Sequence, residues 1–160
     1  MSWDPQGDLL AIANARTPTL VLYECSTGQI HTVDMSTGAK ALPTLLCWNP
    51  KKAILLVGDN RGNFVLFDHR LSRYLGQKWM HWHIFIQRKV PVMGKHQRAI
   101  KTGAWNRDGS IFALGSEDTQ ITVNNAEGET LNTFSCNGDI LDLQFTTFRS
   151  LAADREEDYV

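Results

Sequence analysis

A tryptophan followed by Asp or Asn, a tight turn and a short apolar run recurs three times in this chain, and that recurrence constrains the fold more than any other feature. The units open at Trp3-Asp4-Pro5-Gln6-Gly7-Asp8-Leu9-Leu10-Ala11, at Trp48-Asn49-Pro50-Lys51-Lys52-Ala53-Ile54-Leu55-Leu56-Val57-Gly58, and at Trp105-Asn106-Arg107-Asp108-Gly109-Ser110-Ile111-Phe112-Ala113-Leu114-Gly115. The intervals are 45 positions from Trp3 to Trp48 and 57 from Trp48 to Trp105. A fourth start reads Ile140-Leu141-Asp142-Leu143-Gln144-Phe145, with Phe145 in the tryptophan slot 40 positions after Trp105. In each of the three units a second apolar run follows: Thr19 to Tyr23, Asn63 to Phe67 and Gln120 to Asn124. A glycine-bearing turn and a third short run come next in the first and third units, as in Gln29 to Val33 and Thr130 to Ser135. The runs are short, rich in Val, Ile, Leu and aromatics, and bounded by Gly, Asn, Asp and Pro, which predicts strands. No helix-length window holds a sustained 3.6-residue period between capping signals.

Four short strands about every 40 to 45 residues predict the blades of a WD-repeat propeller. A single blade cannot bury both faces, so blades stack around an axis and cover one another. The fold class is therefore all-β: a partial WD-repeat β-propeller of about three and a half blades of four-stranded antiparallel sheet. The expected blades span about 1–42, 43–97 and 98–138, with a partial one at 139–160. Propellers close with about four to eight blades, so 160 residues do not complete a ring. The chain opens on a first strand and stops in the acidic run Asp154 to Asp158, and it reads as an internal piece of a longer protein.

The long interval before Trp105 localises an irregularity. Removing residues 74–87 returns it to 43. That insertion, Tyr74 to Gln87, holds Trp79, Trp82, His81, His83 and Phe85 and follows neither the strand period nor the helix period. The readings left open are an in-frame stretch of intron, a true loop with an apolar patch for a partner or membrane surface, metal ligation by His81 and His83, and extra edge-strand pairing. His81 and His83 as metal ligands lack a third donor nearby.

Composition excludes several functions. A net charge of -1 and a pI of about 6.5 provide no strong basic field for nucleic acid or an anionic membrane. Cys25, Cys47 and Cys136 are odd in number and form no metal-type pair, as in a protein of a reducing compartment. No run approaches the 18 apolar residues or so of a membrane span. Neither a nucleophile elbow nor a phosphate-binding glycine loop occurs, and Gly58-Asp59-Asn60-Arg61-Gly62 reads as a β-turn. The expectation is a non-enzyme without cofactor or metal.

The residues singled out are blade-building positions: Trp3, Trp48, Trp105, His96 and Asp118. WD repeats pair a histidine before the first strand with an aspartate in the turn between the second and third. Gly94-Lys95-His96 and Glu117-Asp118-Thr119 stand at those places. Leu114 replaces the usual Ser/Thr partner and Val123 the closing tryptophan, so the expected network is partial. Arg16 and Arg61 hold the aspartate position in the first two units. Partner-contacting residues are not readable from the pattern.

The stretch Gly94-Lys95-His96-Gln97-Arg98-Ala99-Ile100-Lys101-Thr102-Gly103-Ala104-Trp105-Asn106, continued by Ala113 to Thr130, resembles one family. It is similar to the WD repeat-containing protein nineteen family, the large WD-repeat subunit of intraflagellar transport complex A. Supporting pieces are Ser2 to Ala11 and Val57 to Asn63, and the likeness covers about residues 2–145 without the insertion. The family runs from a serine-arginine pair directly into lysine and a strand. Here Ser72-Arg73 is separated from Lys89 and Val90-Pro91-Val92 by residues 74–87, a departure that favours a gene-structure origin for them. The resemblance implies N-terminal propellers followed by a helical-repeat tail. It also implies a non-enzymatic scaffold in retrograde ciliary transport and cilium assembly, partnered by other complex A subunits and ciliary membrane cargo adaptors. The implied location is the cilium and ciliary base, on the cytoplasmic side. A WD-repeat adaptor of another complex outside the cilium is the alternative, and a propeller reading a peptide or phosphoinositide on one rim is a third.

Overall fold

Alternating short apolar runs and turn residues produce twelve strands in three antiparallel sheets of four in the computed structural model, which describes residues 1–14, 16–35, 40–69 and 93–146. The first blade holds β1 (Ser2–Trp3), β2 (Leu9–Ala13), β3 (Thr19–Glu24) and β4 (Gln29–Asp34). The second holds β5 (Pro43–Trp48), β6 (Ile54–Asp59), β7 (Asn63–Asp68) and β8 (Met93–Gly94). The third holds β9 (Ile100–Trp105), β10 (Ile111–Ser116), β11 (Gln120–Asn125) and β12 (Thr130–Ser135). Spatial order follows chain order in each sheet. The first strands β1, β5 and β9 lie next to one another across the blades, which places them on the axis side.

Glycine shapes the turns where the backbone turns left-handed. Gly7 and Gly109 take φ of 74° and 73° in the turns after the first strands, a region open to glycine at little cost. The second blade makes that turn from Pro50-Lys51-Lys52 without glycine. Its Asn49 side chain accepts the N–H groups of Lys51 and Lys52 at 2.9 and 3.0 Å instead.

Two apolar layers hold the blades together. Between the first and second, Leu9, Ala11, Leu20 and Leu22 meet Trp48, Leu55, Val57, Val65 and Phe67. Between the second and third, Leu56 and Phe64 meet Ile100, Trp105, Phe112 and Leu114, with the Phe64 and Phe112 rings edge to face at 5.3 Å. Each fully buried Leu or Phe contributes about 1.5–3 kcal/mol of transfer free energy. The middle blade is covered on both faces, and its β6 is apolar at every position from Ile54 to Val57, as expected of a doubly buried strand. In the first blade β3 alternates between buried and half-buried residues, because no described element covers its other face.

Gly58 and Gly115, next to last in β6 and β10, have a steric cause. A Cβ on Gly58 would lie 2.9 Å from Ile100 of the next blade's first strand, and one on Gly115 would lie 2.7 Å from Ile140. Ile140 and Leu143 thus pack on the third blade where Ile100 packs on the second. Residues 139–146 form no strand, however, so the first strand expected of a fourth unit is absent over them, and 147–160 lie outside the described residues. The insertion 74–87 and the expected strand Val90–Val92 also lie outside them; the described outer strand of the second blade is β8.

Candidate functional site

Blade contacts at the seams leave the loops of both rims facing solvent, and the chemistry divides between these two places. At the seams the slot tryptophans act as periodic ties. Trp48 Nε1 donates to the Ser2 carbonyl at 3.0 Å, and Trp105 Nε1 donates to the Cys47 carbonyl at 3.3 Å. In both cases the acceptor is the residue just before the preceding slot tryptophan. Trp105 also packs against Phe112 in a tilted arrangement, with ring centres 4.8 Å apart. Trp48 and Trp105 are buried, whereas Trp3 is 51% exposed. The burial of Cys47 raises its thiol pKa, against the lowering effect of the thiol's hydrogen bond with the Trp105 backbone.

The residue after each tryptophan caps its own turn. Asp4 accepts the N–H groups of Asp8 and Leu9, and Asn106 accepts those of Ser110 and Ile111. Asn49 does more: its fully buried Nδ2 crosses the seam to the Gly109 carbonyl at 2.8 Å. The amide does this because its oxygen accepts while its NH2 donates, whereas an aspartate carboxylate at this position could only accept. The sequence pattern shows Asn or Asp after the tryptophan but not this second contact.

His96 and Asp118 meet in the third blade. Nδ1 stands 3.2 Å from both Asp118 oxygens, so it donates to them, and Nε2 then accepts from the Thr122 hydroxyl at 3.0 Å. The hydroxyl sits on β11, directly across from Leu114 on β10, where a search along the second strand misses it. Asn124 donates to Thr122 at 3.2 Å and accepts from Thr130 at 2.9 Å, so a polar chain runs from the outer strand to the rim. Burial disfavours the Asp118 carboxylate, but the Gln97 and Gln120 N–H groups and the His96 ring together hold its pKa below the ordinary value.

In the second blade Arg61 occupies the turn position that Asp118 has in the third. Asp59, two residues earlier, organises the turn: it accepts Arg61 N–H and Asn63 N–H, each at 2.8 Å, and the Asn63 amide at 2.9 Å. At the opposite rim an open cleft of about 500 Å³ lies between the first turns of the second and third blades, lined by Lys51, Arg107, Asp108, Ile111 and Phe145. Among the described residues no group of three His, Cys, Asp or Glu could hold a metal, and no helix is long and apolar enough to cross a membrane. His81 and His83 fall outside them.

Comparison with known proteins agrees with this geometry. The family model described as WDR19 first beta-propeller matches residues 1–160. WD repeat-containing protein dyf-2 of Caenorhabditis elegans is 33% identical over 146 residues, covering 91% of this chain and 9% of that protein. WD repeat-containing protein 19 of Mus musculus is 31% identical over 146 residues, covering 91% of this chain and 10% of that protein. The human protein of the same name matches to the same extent, at 31% identity over 145 residues. The chain therefore spans about a tenth of the length of these relatives. Among solved structures, a chain in the crystal structure of the mitotic checkpoint complex superposes with a TM-score of 0.63 at 18% identity, covering 84% of this chain and 36% of that one. That likeness shows the propeller fold alone.

Proposed function

The chain belongs to the WDR19 first beta-propeller family, and from that membership we propose that it forms part of a non-enzymatic scaffold subunit of intraflagellar transport complex A. Its role on this reading is in retrograde ciliary transport and cilium assembly, at the cilium and ciliary base on the cytoplasmic side. Its partners are the other complex A subunits and ciliary membrane cargo adaptors. The observation that carries the reading is the family match over the whole chain, supported by the way the polar side chains are used. The buried Asn49, His96, Thr122 and Asn124 are engaged in tying blades and turns together. Such a frame holds its rim loops rigid for protein contacts, and loops on a rigid frame are where binding residues concentrate. Affinity purification of the tagged full-length protein from ciliated cells tests the proposal. Recovery of complex A subunits supports it; recovery of a different assembly, with normal ciliary return traffic after depletion, refutes it in favour of an adaptor outside the cilium.

A further inference from the structure

One turn of the second blade gathers positive charge from three separate segments. The β6–β7 turn, Asn60-Arg61-Gly62, is clasped on one side by the segment leading into β5. Asn60 N–H donates to the Leu42 carbonyl at 2.9 Å, and Leu42 N–H donates to the Asn60 side chain at 2.9 Å. On its other side it is clasped by the segment leading into β9. Lys95 and His96 N–H groups donate to the Gly62 carbonyl at 3.2 and 3.1 Å, and a Cβ on Gly62 would lie 2.8 Å from the Arg98 carbonyl. Lys40, two residues before Leu42, together with Arg61, Lys95 and Arg98, is thus collected around a single turn. Lys40, Arg61 and Arg98 are exposed and Lys95 is half-buried. None of the four forms an ion pair among the described residues. The nearest acid in sequence, Asp59, is buried and turned into its own turn.

The contrast with the third blade shows that the turn itself does not require this charge. There the equivalent position is Asp118, drawn inward by His96. Its neighbour Lys101 is paired with Glu117 at 2.7 Å. Carboxylates stand near this rim in the neighbouring blades: Asp34 at the end of β4 in the first, and in the third Glu117 in the β10–β11 turn and Asp139 beyond β12. Screening over about 8 Å at physiological salt limits the reach of each charge, so the four around the β6–β7 turn act together on a ligand seated there; the exposed Arg16 stands at the corresponding turn of the first blade. A flat anionic bilayer would meet those carboxylates as well, whereas a narrow acidic chain would not.

We propose that the rim around the β6–β7 turn, built from Lys40, Arg61, Lys95 and Arg98, is a docking point for an acidic segment of a partner protein. The inference deepens the scaffold reading by giving one partner contact its chemistry; co-purification tests that reading, and the following experiment tests this contact separately. Binding of fluorescent twelve-residue Glu-rich, Gln-rich and Lys-rich peptides to the purified full-length protein is measured by anisotropy at low and high salt. Vesicles of phosphatidylcholine with about a third phosphatidylserine form a separate arm. The expected result is binding of the Glu-rich peptide alone, weakening with salt. The Arg61→Glu/Arg98→Glu double variant should weaken it at least about tenfold with an unchanged melting point, and Arg61→Lys/Arg98→Lys should retain it. Equal binding of the Glu-rich and Gln-rich peptides, or undiminished binding by the reversed variant, overturns the proposal. Capture by the vesicles without the Glu-rich peptide overturns it in favour of a lipid surface.

Discussion

Replacing Asn49 by Asp changes one atom's role and leaves the side-chain volume almost untouched, so it isolates the tie between the second and third blades. The two acceptor contacts, to Lys51 and Lys52 N–H, survive the change. The donor contact to the Gly109 carbonyl is lost, and an anionic oxygen takes its place at the same 2.8 Å approach in a fully buried site. An orphaned buried acceptor costs about 1–3 kcal/mol, and the repulsion and desolvation of the new carboxylate add to that. Stronger charge-assisted capping returns about 1 kcal/mol. The net expectation is a destabilisation of about 2–4 kcal/mol. Asn106→Asp is the internal control, because its amide donates only to the exposed Ser110 hydroxyl of its own turn; its cost should stay within about 0.5 kcal/mol. Equilibrium urea unfolding followed by the fluorescence of Trp48 and Trp105, which lie at the two seams, measures both. The new carboxyl at position 49 has its folded-state pKa raised by burial. Its penalty is therefore absent well below the unfolded value of about 3.9 and grows as pH rises through the raised one. Equal costs at positions 49 and 106, or a cost below about 1 kcal/mol for Asn49→Asp at neutral pH, would refute the bridging role.

Thr119 adopts φ of 62° with a branched side chain, so Thr119→Gly should stabilise the protein by about 0.5–1 kcal/mol in the same assay. Gly62 takes φ of 85° at the same turn of the second blade, and an added Cβ would clash with the His96 carbonyl oxygen; Gly62→Ala should cost about 2–4 kcal/mol, and a neutral result would disprove the close approach. Because the folded Asp118 pKa is lowered, its stabilisation is complete above the ordinary carboxylate value of about 3.9 and is lost as pH falls through the lowered one. Asp118→Asn should accordingly reduce the urea midpoint at pH 7 and converge on the wild type near pH 2; a gap that widens in acid would contradict the sign. Cys25 is exposed while Cys47 is partly buried with a raised pKa, so a thiol reagent at pH 8 should label Cys25 first and Cys47 far more slowly in the folded protein.

The blade architecture is written in the chain because its causes are local. A slot tryptophan, a turn residue and an alternating run each act over a few positions, and their repetition exposes the fold without reference to distant residues. The small residues near the ends of the second strands were visible as a pattern too, at Gly58 and Gly115. Their reason was not, since it lies in Ile100 and Ile140 arriving from the next unit. The same limit explains the sites. That His96 and Asp118 stand at the expected places is readable from their order. That the hydroxyl partner is Thr122 depends on β10 and β11 lying in register, with Leu114 opposite Thr122. Asn49 reaches Gly109 across 60 positions, and Lys40, Arg61, Lys95 and Arg98 come together through hydrogen bonds between three segments far apart in the chain. Sequence alone determined what each blade is made of. Only the packing of one blade on the next decided which polar groups are shared between blades and which charges are left on the rim, because both depend on distances that no local rule sets.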